Sequence, residues 1–358
     1  MSPRALGISA PARSSSQSAG HAAGPIVCRE LVACATGQRV EDAAPDTVPV
    51  PRRPVVGLAL GGGSARGWAH IGVIRALEAA GVRPDLVCGT SIGALVGAAW
   101  AAGELERFAA WVLAMRVKDV VSFVDLGLSG GFLKGERLMD FVRRSFVDRP
   151  IEDLPVPFAA VATALQSGAE VWLRSGSTVD AVRASIALPA LFTPVVRDGV
   201  MLVDGGLVNP VPVSLARAMG AELVIAVDLS SDLLGRHLRP DPKPSPASSP
   251  VGDWLRKLQE SLGIDTPAGP AKPRVPSMLD VVASSLNVMQ VRIARSRLAG
   301  DPADALIAPR LAHLGLLDFH RGEEAIEEGA RAVESALPGL RALGLGARGA
   351  ATENAPAG

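Results

Sequence analysis

Residues 55–93, VVGLALGGGSARGWAHIGVIRALEAAGVRPDLVCGTSIG, contain the pattern that decides the fold. The stretch opens on a short apolar strand and continues through a glycine cluster into a helical pattern that ends at Gly81. A second strand follows at about Asp85 to Cys88. A strand, a helix and a strand at this spacing form a crossover unit, so the two strands are expected to be parallel, with the helix covering one face.

Apolar segments of strand length recur along the rest of the chain, with helical patterns between many of them. This alternation indicates an α/β arrangement. Helices are predicted at about Ala94–Ala102, Leu279–Leu298 and Glu323–Leu337, and further strands at about Phe158–Thr163, Glu170–Leu173, Met201–Val203, Leu223–Val227 and Ala305–Ile307.

Composition changes along the chain predict its domain organisation. Residues 1–53 are rich in Ala, Ser, Gly and Pro and lack sustained periodicity, which predicts a disordered low-complexity extension. A proline-rich stretch at about 235–277 is predicted to be a surface insertion, because such a run forms neither sheet nor continuous helix. The folded domain is therefore expected at 54–340, with a flexible tail at 341–358.

The charge balance and the cysteine content exclude several classes of protein. The 358 residues contain 36 Lys plus Arg and 36 Asp plus Glu, so no electrostatic footprint for nucleic acid is present. Three cysteines without a CxxC spacing argue against a disulfide framework and a cysteine-based zinc site. The longest uncharged window, 86–103, is interrupted by glycines and predicts a strand, a turn and a helix rather than a membrane span. We therefore expect a cytoplasmic protein.

The pentapeptide Gly89-Thr90-Ser91-Ile92-Gly93 follows the second predicted strand and precedes a predicted helix. A nucleophilic serine has to project from a sharp turn between strand and helix, and glycines two residues to either side remove side chains that would collide there. The N-terminus of the following helix favours partial alkoxide character on the serine oxygen. The pattern predicts Ser91 as a nucleophile.

Residues 61–67, GGGSARG, form a second turn between a strand and a helix. A dinucleotide-binding loop would require an acidic residue at the end of the second strand, and that strand ends in Cys88 instead. Consecutive small residues expose backbone N–H groups at a helix N-terminus, where a negative oxygen is stabilised. We therefore interpret this loop as an oxyanion hole, although a turn selected only for close packing would look similar.

The third motif, Asp204-Gly205-Gly206, follows an apolar strand and precedes Asn209-Pro210. Asp204 is therefore expected at the end of a strand rather than on a solvated face. An isolated Asp-Gly pair is commonly only a turn in which the carboxylate binds its own backbone. The interpretation of Asp204 as a functional residue therefore depends on the two preceding motifs.

Together, the glycine-rich loop with Arg66-Gly67, the GTSIG motif and the DGG motif followed by Asn-Pro resemble the patatin-like phospholipase family, especially its bacterial members. The resemblance runs from about Val55 to about Leu337, apart from the proline-rich insertion. It implies an α/β, three-layer fold with a central, mostly parallel sheet flanked by helices.

The resemblance also implies a Ser/Asp dyad that hydrolyses acyl esters of lipids without a catalytic histidine, a metal or an organic cofactor. Carried over by motif, Ser91 is the nucleophile and Asp204 the base. The oxyanion amides come from Gly62, Gly63 and Ser64, although many family members have a glycine where Ser64 stands. The motifs further include Gly61, Arg66, Gly67, Gly89, Gly93, Gly205 and Gly206.

The implied partners are a lipid ester and, transiently, a membrane surface, which places the protein in the cytoplasm with peripheral contact to the inner membrane. The oligomeric state stays undetermined. Arg66 has two interpretations, binding of a phospholipid phosphate or fixing of the loop.

Two alternatives stay open. An ordinary α/β-hydrolase of short-chain esters would use a histidine after Asp204, namely His237, His313 or His320. His70, on the helix after the glycine loop, is interpreted as structural. A lipid-binding or regulatory module without turnover would keep the fold, although intact motifs weigh against it.

Overall fold

The computed structural model describes residues 52–122, 143, 148–189, 191–233 and 278–346. These residues belong to one compact unit that begins at Arg52. The predicted insertion, all of the predicted extension except its last two residues, and the chain after Gly346 lie outside the described residues. The predicted domain boundaries therefore stay predictions.

The crossover unit predicted at the start of the domain is present. Strand β1 comprises Val56–Leu60, helix α1 Ala69–Ala79 and strand β2 Leu86–Thr90, with a 3-10 helix, Ser64–Trp68, between β1 and α1. The strands β1 and β2 pair in parallel, with Gly57 opposite Leu86. The prediction of parallel strands is confirmed.

The remaining elements follow the predicted alternation of strands and helices. The further helices are α2 (Ile92–Ala101), α3 (Leu105–Ala114), α4 (Val117–Ser122), α5 (Thr178–Ser185), α6 (Val213–Ala218), α7 (Met278–Gly300) and α8 (Gly322–Ala342). The further strands are β3 (Phe158–Ala164), β4 (Glu170–Leu173), β5 (Val195–Arg197), β6 (Val200–Asp204), β7 (Leu223–Val227) and β8 (Ala305–Ile307).

The described strands form one eight-stranded mixed sheet in the order β5-β6-β3-β2-β1-β7-β8, with β4 also paired to β3. The strands β3, β2, β1, β7 and β8 are parallel to their neighbours within this run. The pairs β3–β4, β3–β6 and β5–β6 are antiparallel. The sheet is thus mostly parallel, as predicted.

Apolar cores lie on both faces of this sheet, because successive side chains of a strand point to opposite faces. On β1, Leu58 and Leu60 belong to one buried cluster, together with residues of α1, α2, α3, α5 and α8. Ala59 belongs to a second cluster, together with residues of α6 and α7. The arrangement of helices, sheet and helices is the three-layer α/β fold that was predicted.

Two elements differ from the sequence-based expectations. Strand β5, which has no buried residue, was not predicted. Strand β8, which is equally short and lies at the other edge of the sheet, was predicted and includes the buried Ile307. Helix α8 was predicted to end at Leu337, before Pro338, but it continues to Ala342 with Pro338 inside it. Leu340 is fully buried, so tertiary packing extends the helix past a residue that usually ends one.

Candidate active site

Ser91 stands at the sharp turn between β2 and α2. Its backbone angles, φ 55° and ψ −126°, are strained for a residue with a side chain. A Cβ atom on Gly93 would collide with the carbonyl oxygen of Leu60, and one on Gly89 would collide with the backbone of Gly93 and Ala94. The two glycines therefore allow the turn that projects the serine from the end of the strand.

Asp204 is the last residue of β6, and the pairing of two strands with β3 brings it to Ser91. Thr90 lies opposite Val161 of β3, and Asp204 lies opposite the next residue, Ala162. Ser91, which directly follows β2, and Asp204, the last residue of β6, therefore lie beside neighbouring positions of β3. The hydroxyl of Ser91 donates a hydrogen bond to Oδ2 of Asp204 over 2.6 Å.

The Asp204 carboxylate is fully buried. Its Oδ1 accepts a hydrogen bond from the amide of Gly206 over 2.7 Å, within the 3-10 helix Gly205–Leu207. Burial raises the pKa of Asp204 from 3.8 to about 6, and the hydrogen bonds from Ser91 and Gly206 oppose this rise. The carboxylate is therefore a stronger base than an exposed aspartate and is still mostly ionised at neutral pH.

The glycine-rich loop passes beside Ser91. A Cβ atom on Gly62 would lie 3.4 Å from the Cβ atom of Ser91. The amide of Gly62 donates to the carbonyl oxygen of Pro210 over 2.9 Å and is therefore already engaged. The amides of Gly63 and Ser64 donate to no acceptor among the described residues, and both residues line the same cavity as Ser91.

Ser64 has a left-handed backbone conformation, with φ 50°. Glycine adopts this conformation without steric cost, whereas a residue with a side chain is strained there. The loop therefore holds Ser64 in a conformation that would be less strained for glycine.

The side chain of Arg66 is buried against the loop and is 2% exposed. Its Nε donates to the carbonyl oxygen of Gly63 over 3.3 Å, and its Nη2 donates to Oδ1 of Asn287 over 3.2 Å. Burial lowers the pKa of the guanidinium, and the negative charges of Asp232 and Asp228 oppose that shift. These contacts favour the interpretation that Arg66 fixes the loop.

A cavity of about 570 Å³ opens at Ser91 and Asp204. Its polar floor is formed by Ser91, Asp204, Gly63 and Ser64. Helix α7 contributes Asn287 and other residues to its wall. Much of the remaining lining is leucine: Leu188, Leu191, Leu233, Leu286, Leu314, Leu316 and Leu317. Such a lining suits an apolar ligand next to a small group of oriented polar atoms.

Comparison with known proteins places the same motifs in one family. The family model for patatin-like phospholipase matches residues 58–217. An uncharacterised NTE family protein of Mycobacterium tuberculosis is 32% identical over 335 residues, which cover 79% of this chain and 91% of that protein. The chain belongs to the patatin-like phospholipase family. This membership confirms the resemblance and supports a lipid hydrolase activity in general terms.

Other relatives cover smaller parts of their own length. Mouse patatin-like phospholipase domain-containing protein 6 is 40% identical over 184 residues, which are 49% of this chain and 14% of that protein. The crystal structure of VipD from Legionella pneumophila covers 80% of this chain and 67% of that one, with a TM-score of 0.46 and 13% identity.

Within the described part of the chain, no helix is long and apolar enough to cross a membrane.

The segment Ser185–Ala187 supports both members of the Ser/Asp pair and was missed by the sequence analysis. The hydroxyl of Ser185 accepts a hydrogen bond from the amide of Ser91 over 2.9 Å. The carbonyl oxygen of Ala187 accepts one from the amide of Asp204 over 2.9 Å. Ser185 is fully buried, and a polar residue in the otherwise apolar run after Arg183 was the one available signal.

The Asn-Pro sequence after the DGG motif joins the three motifs of the family. The carbonyl oxygen of Asn209 accepts a hydrogen bond from the Thr90 hydroxyl over 2.8 Å, and that of Pro210 accepts the Gly62 amide. One short segment therefore connects the serine turn, the glycine-rich loop and the strand that ends in Asp204.

Among the described histidines, none donates to or accepts from Ser91 or Asp204. His313 lines the cavity, but its Nε2 lies 2.6 Å from Oε1 of Glu324. His237 lies outside the described residues. The described residues also contain no group of three or more His, Cys, Asp or Glu side chains able to bind a metal ion.

Proposed function

We propose that the protein is a serine acyl hydrolase that cleaves fatty-acyl esters of lipids, as a phospholipase A or lysophospholipase. The observation that carries the proposal is the 2.6 Å hydrogen bond from Ser91 to Asp204 at the floor of a leucine-lined cavity. Family membership supports lipid ester hydrolysis in general, and the Ser/Asp geometry supports a specific chemical route.

In the first half-reaction, Asp204 accepts the proton of the Ser91 hydroxyl while the serine oxygen attacks the ester carbonyl carbon. The amides of Gly63 and Ser64 donate to the oxyanion of the tetrahedral intermediate, and the Gly62 amide, already bound to Pro210, is left out of this assignment. When the intermediate collapses, the leaving alkoxide takes the proton from Asp204. An acyl-enzyme and a free alcohol result.

In the second half-reaction, water attacks the acyl-enzyme and gives its proton to Asp204. The fatty acid leaves, and the proton returns to the Ser91 oxygen. The proposed route uses side chains and backbone amides of this chain alone. It includes transient contact with a lipid surface, because an acyl ester anchored in a bilayer has to reach the cavity from that surface.

The test is release of fatty acid from phospholipids, lysophospholipids and triacylglycerol, measured by mass spectrometry. Ser91→Ala and Asp204→Ala should each lower turnover roughly 10⁴-fold, as loss of a nucleophile or its carboxylate partner does elsewhere. Ser167→Ala and Asp198→Asn, at exposed positions, are the matched controls and should keep full activity. A fluorophosphonate should label wild-type protein at Ser91.

Three results would contradict the proposal in different ways. An active Asp204→Ala variant would exclude the dyad. Loss of turnover in His313→Ala or His320→Ala, with Asp204→Ala still active, would support a histidine base. Binding of lipid vesicles without fatty-acid release or labelling would support a lipid-binding module.

A further inference from the structure

His70, in the first turn of α1, contacts the backbone of the glycine-rich loop. Its side chain is fully buried, and its Nε2 lies 2.7 Å from the carbonyl oxygen of Gly61. A carbonyl oxygen only accepts hydrogen bonds, so Nε2 carries the proton and donates it. Burial lowers the pKa of His70 to about 4, against the opposing effect of the Gly61 hydrogen bond. The ring is therefore neutral at physiological pH.

The peptide unit between Gly61 and Gly62 is bound at both ends. Its carbonyl oxygen accepts from His70, and its N–H group donates to Pro210. Because a peptide unit is planar, two bonds to opposite edges determine its orientation. Glycine on both sides of the unit gives the backbone its widest conformational freedom, so these bonds restrict a segment that would otherwise rotate readily.

The same carbonyl oxygen also lies against the nucleophile turn. A Cβ atom on Gly93, two residues after Ser91, would lie 2.7 Å from it. The backbone of the loop and the start of α2 are therefore in close contact at this point. A rotation of the Gly61–Gly62 peptide would move the next two amides, those of Gly63 and Ser64, relative to Ser91.

We propose that His70 is a positioning residue, which orients the Gly61–Gly62 peptide so that the amides of Gly63 and Ser64 face the oxyanion. The effect of His70 on catalysis rests on the proposed function, whereas its orientation of the loop does not. Without the imidazole, the buried Gly61 carbonyl loses its donor, and the loop samples orientations that do not stabilise the transition state.

The test compares His70→Met with His70→Gln. The two side chains have similar length and volume, but only Gln carries an N–H donor near the position of the imidazole Nε2. His70→Met should lower kcat about 10²-fold, the lower end of the effect of losing an oxyanion-hole donor, with KM little changed. His70→Gln should recover most of that loss. Leu77→Met, a volume-conserving change at a buried position of the same helix, is the matched control and should keep the wild-type kcat.

Amide hydrogen exchange in the peptide that spans residues 57–68 provides a readout independent of turnover. Exchange should be faster in His70→Met than in wild type and close to wild type in His70→Gln. If His70→Met does not fold, His70→Asn replaces it, because its amide is one carbon shorter and does not reach the Gly61 oxygen. Equal exchange and equal kcat in the donor and non-donor variants would overturn the inference.

The two proposals fail in distinguishable ways. If wild type releases no fatty acid, the proposed function fails, and the exchange measurement alone still decides whether His70 orients the loop. If wild type is active and Ser91→Ala is not, but His70→Met keeps the wild-type kcat, only the role of His70 is refuted.

Discussion

At the scale of one residue, burial raises the basicity of Asp204, the proposed base, and does so at a cost in stability. The carboxylate has no solvent contact and a pKa of about 6. Its partners are the Ser91 hydroxyl and one amide, with no cation among them. The negative charge is therefore only partly compensated when Asp204 ionises.

We expect the activity and the stability of the protein to respond to pH in opposite directions around Asp204. In the proposed mechanism the ionised carboxylate is the base, so kcat/KM should rise with pH through about 6 and then level off. In the folded state the pKa lies above its unfolded value of 3.8, so the folded form binds more protons between these values. The stability that this group contributes is fully present below pH 3.8. About 3 kcal/mol of it is lost as the pH rises through about 6.

Asp204→Asn checks the same prediction, because it removes the charge and retains the shape. The variant should be inactive, and at pH 8 its free energy of unfolding should exceed that of wild type by up to about 3 kcal/mol. The difference should shrink as pH falls towards 4. Denaturant unfolding across this pH range measures it, and a difference that does not vary with pH would show that Asp204 is not the cause.

At the scale of an element, helix α5 has serines with different roles at its two ends. Ser177 is the N-cap, and its hydroxyl accepts a hydrogen bond from the amide of Asp180 over 3.0 Å. Ser185, at the other end, accepts from the amide of Ser91. The first contact stabilises the helix itself, whereas the second supports the strained turn of the candidate nucleophile.

The pair Ser185→Ala and Ser177→Ala should therefore separate stability from activity. Ser185→Ala leaves the partly buried Ser91 amide without its acceptor, which should cost about 1 to 3 kcal/mol. The displaced turn should lower kcat between roughly 10- and 100-fold. Ser177→Ala should cost about 1 kcal/mol as a lost helix cap and leave kcat unchanged. Steady-state kinetics and thermal unfolding of both variants are the measurements, and equal kcat values would refute the role of Ser185.

At the scale of the whole molecule, α7 closes one side of the candidate site although it lies far along the chain from the three motifs. Its Gln290 lies against Gly206, and Asn287 contacts Arg66. Near its C-terminus, Arg297 donates to Oε2 of Glu170 over 2.6 Å and to the carbonyl oxygen of Val208 over 3.1 Å. These bonds attach the helix to β4 and to the segment after Asp204.

Arg297→Met should loosen this attachment and affect binding more than chemistry. The cavity wall provided by α7 would be less ordered, so we expect KM to rise roughly 10-fold, equivalent to about 1.4 kcal/mol, with a smaller change in kcat. Arg331→Met, an exposed arginine paired with Glu327 and Glu328 on α8, is the control and should leave both constants unchanged. A fall in kcat alone, with KM constant, would contradict this role for α7.

Sequence patterns at all three scales predicted the features with a local cause. The crossover unit, the serine turn and the place of Asp204 at the end of a strand follow from short-range hydrophobic periodicity and turn chemistry. The one described strand that was missed, β5, has no buried residue. The end of α8 beyond Pro338 depends on the burial of Leu340 against other elements.

The sequence by itself determined the α/β class, the parallel crossover at its start and the three motifs with their candidate nucleophile and base. Only the tertiary structure decided which groups support them: Ser185 below Ser91, Pro210 on the Gly62 amide and His70 on the Gly61 carbonyl. The contacts of Ser185 and Pro210 join residues more than 90 positions apart, and the bond from His70 joins α1 to the loop after β1. Such contacts leave no periodic trace in the chain, because periodicity records only which face of an element is buried.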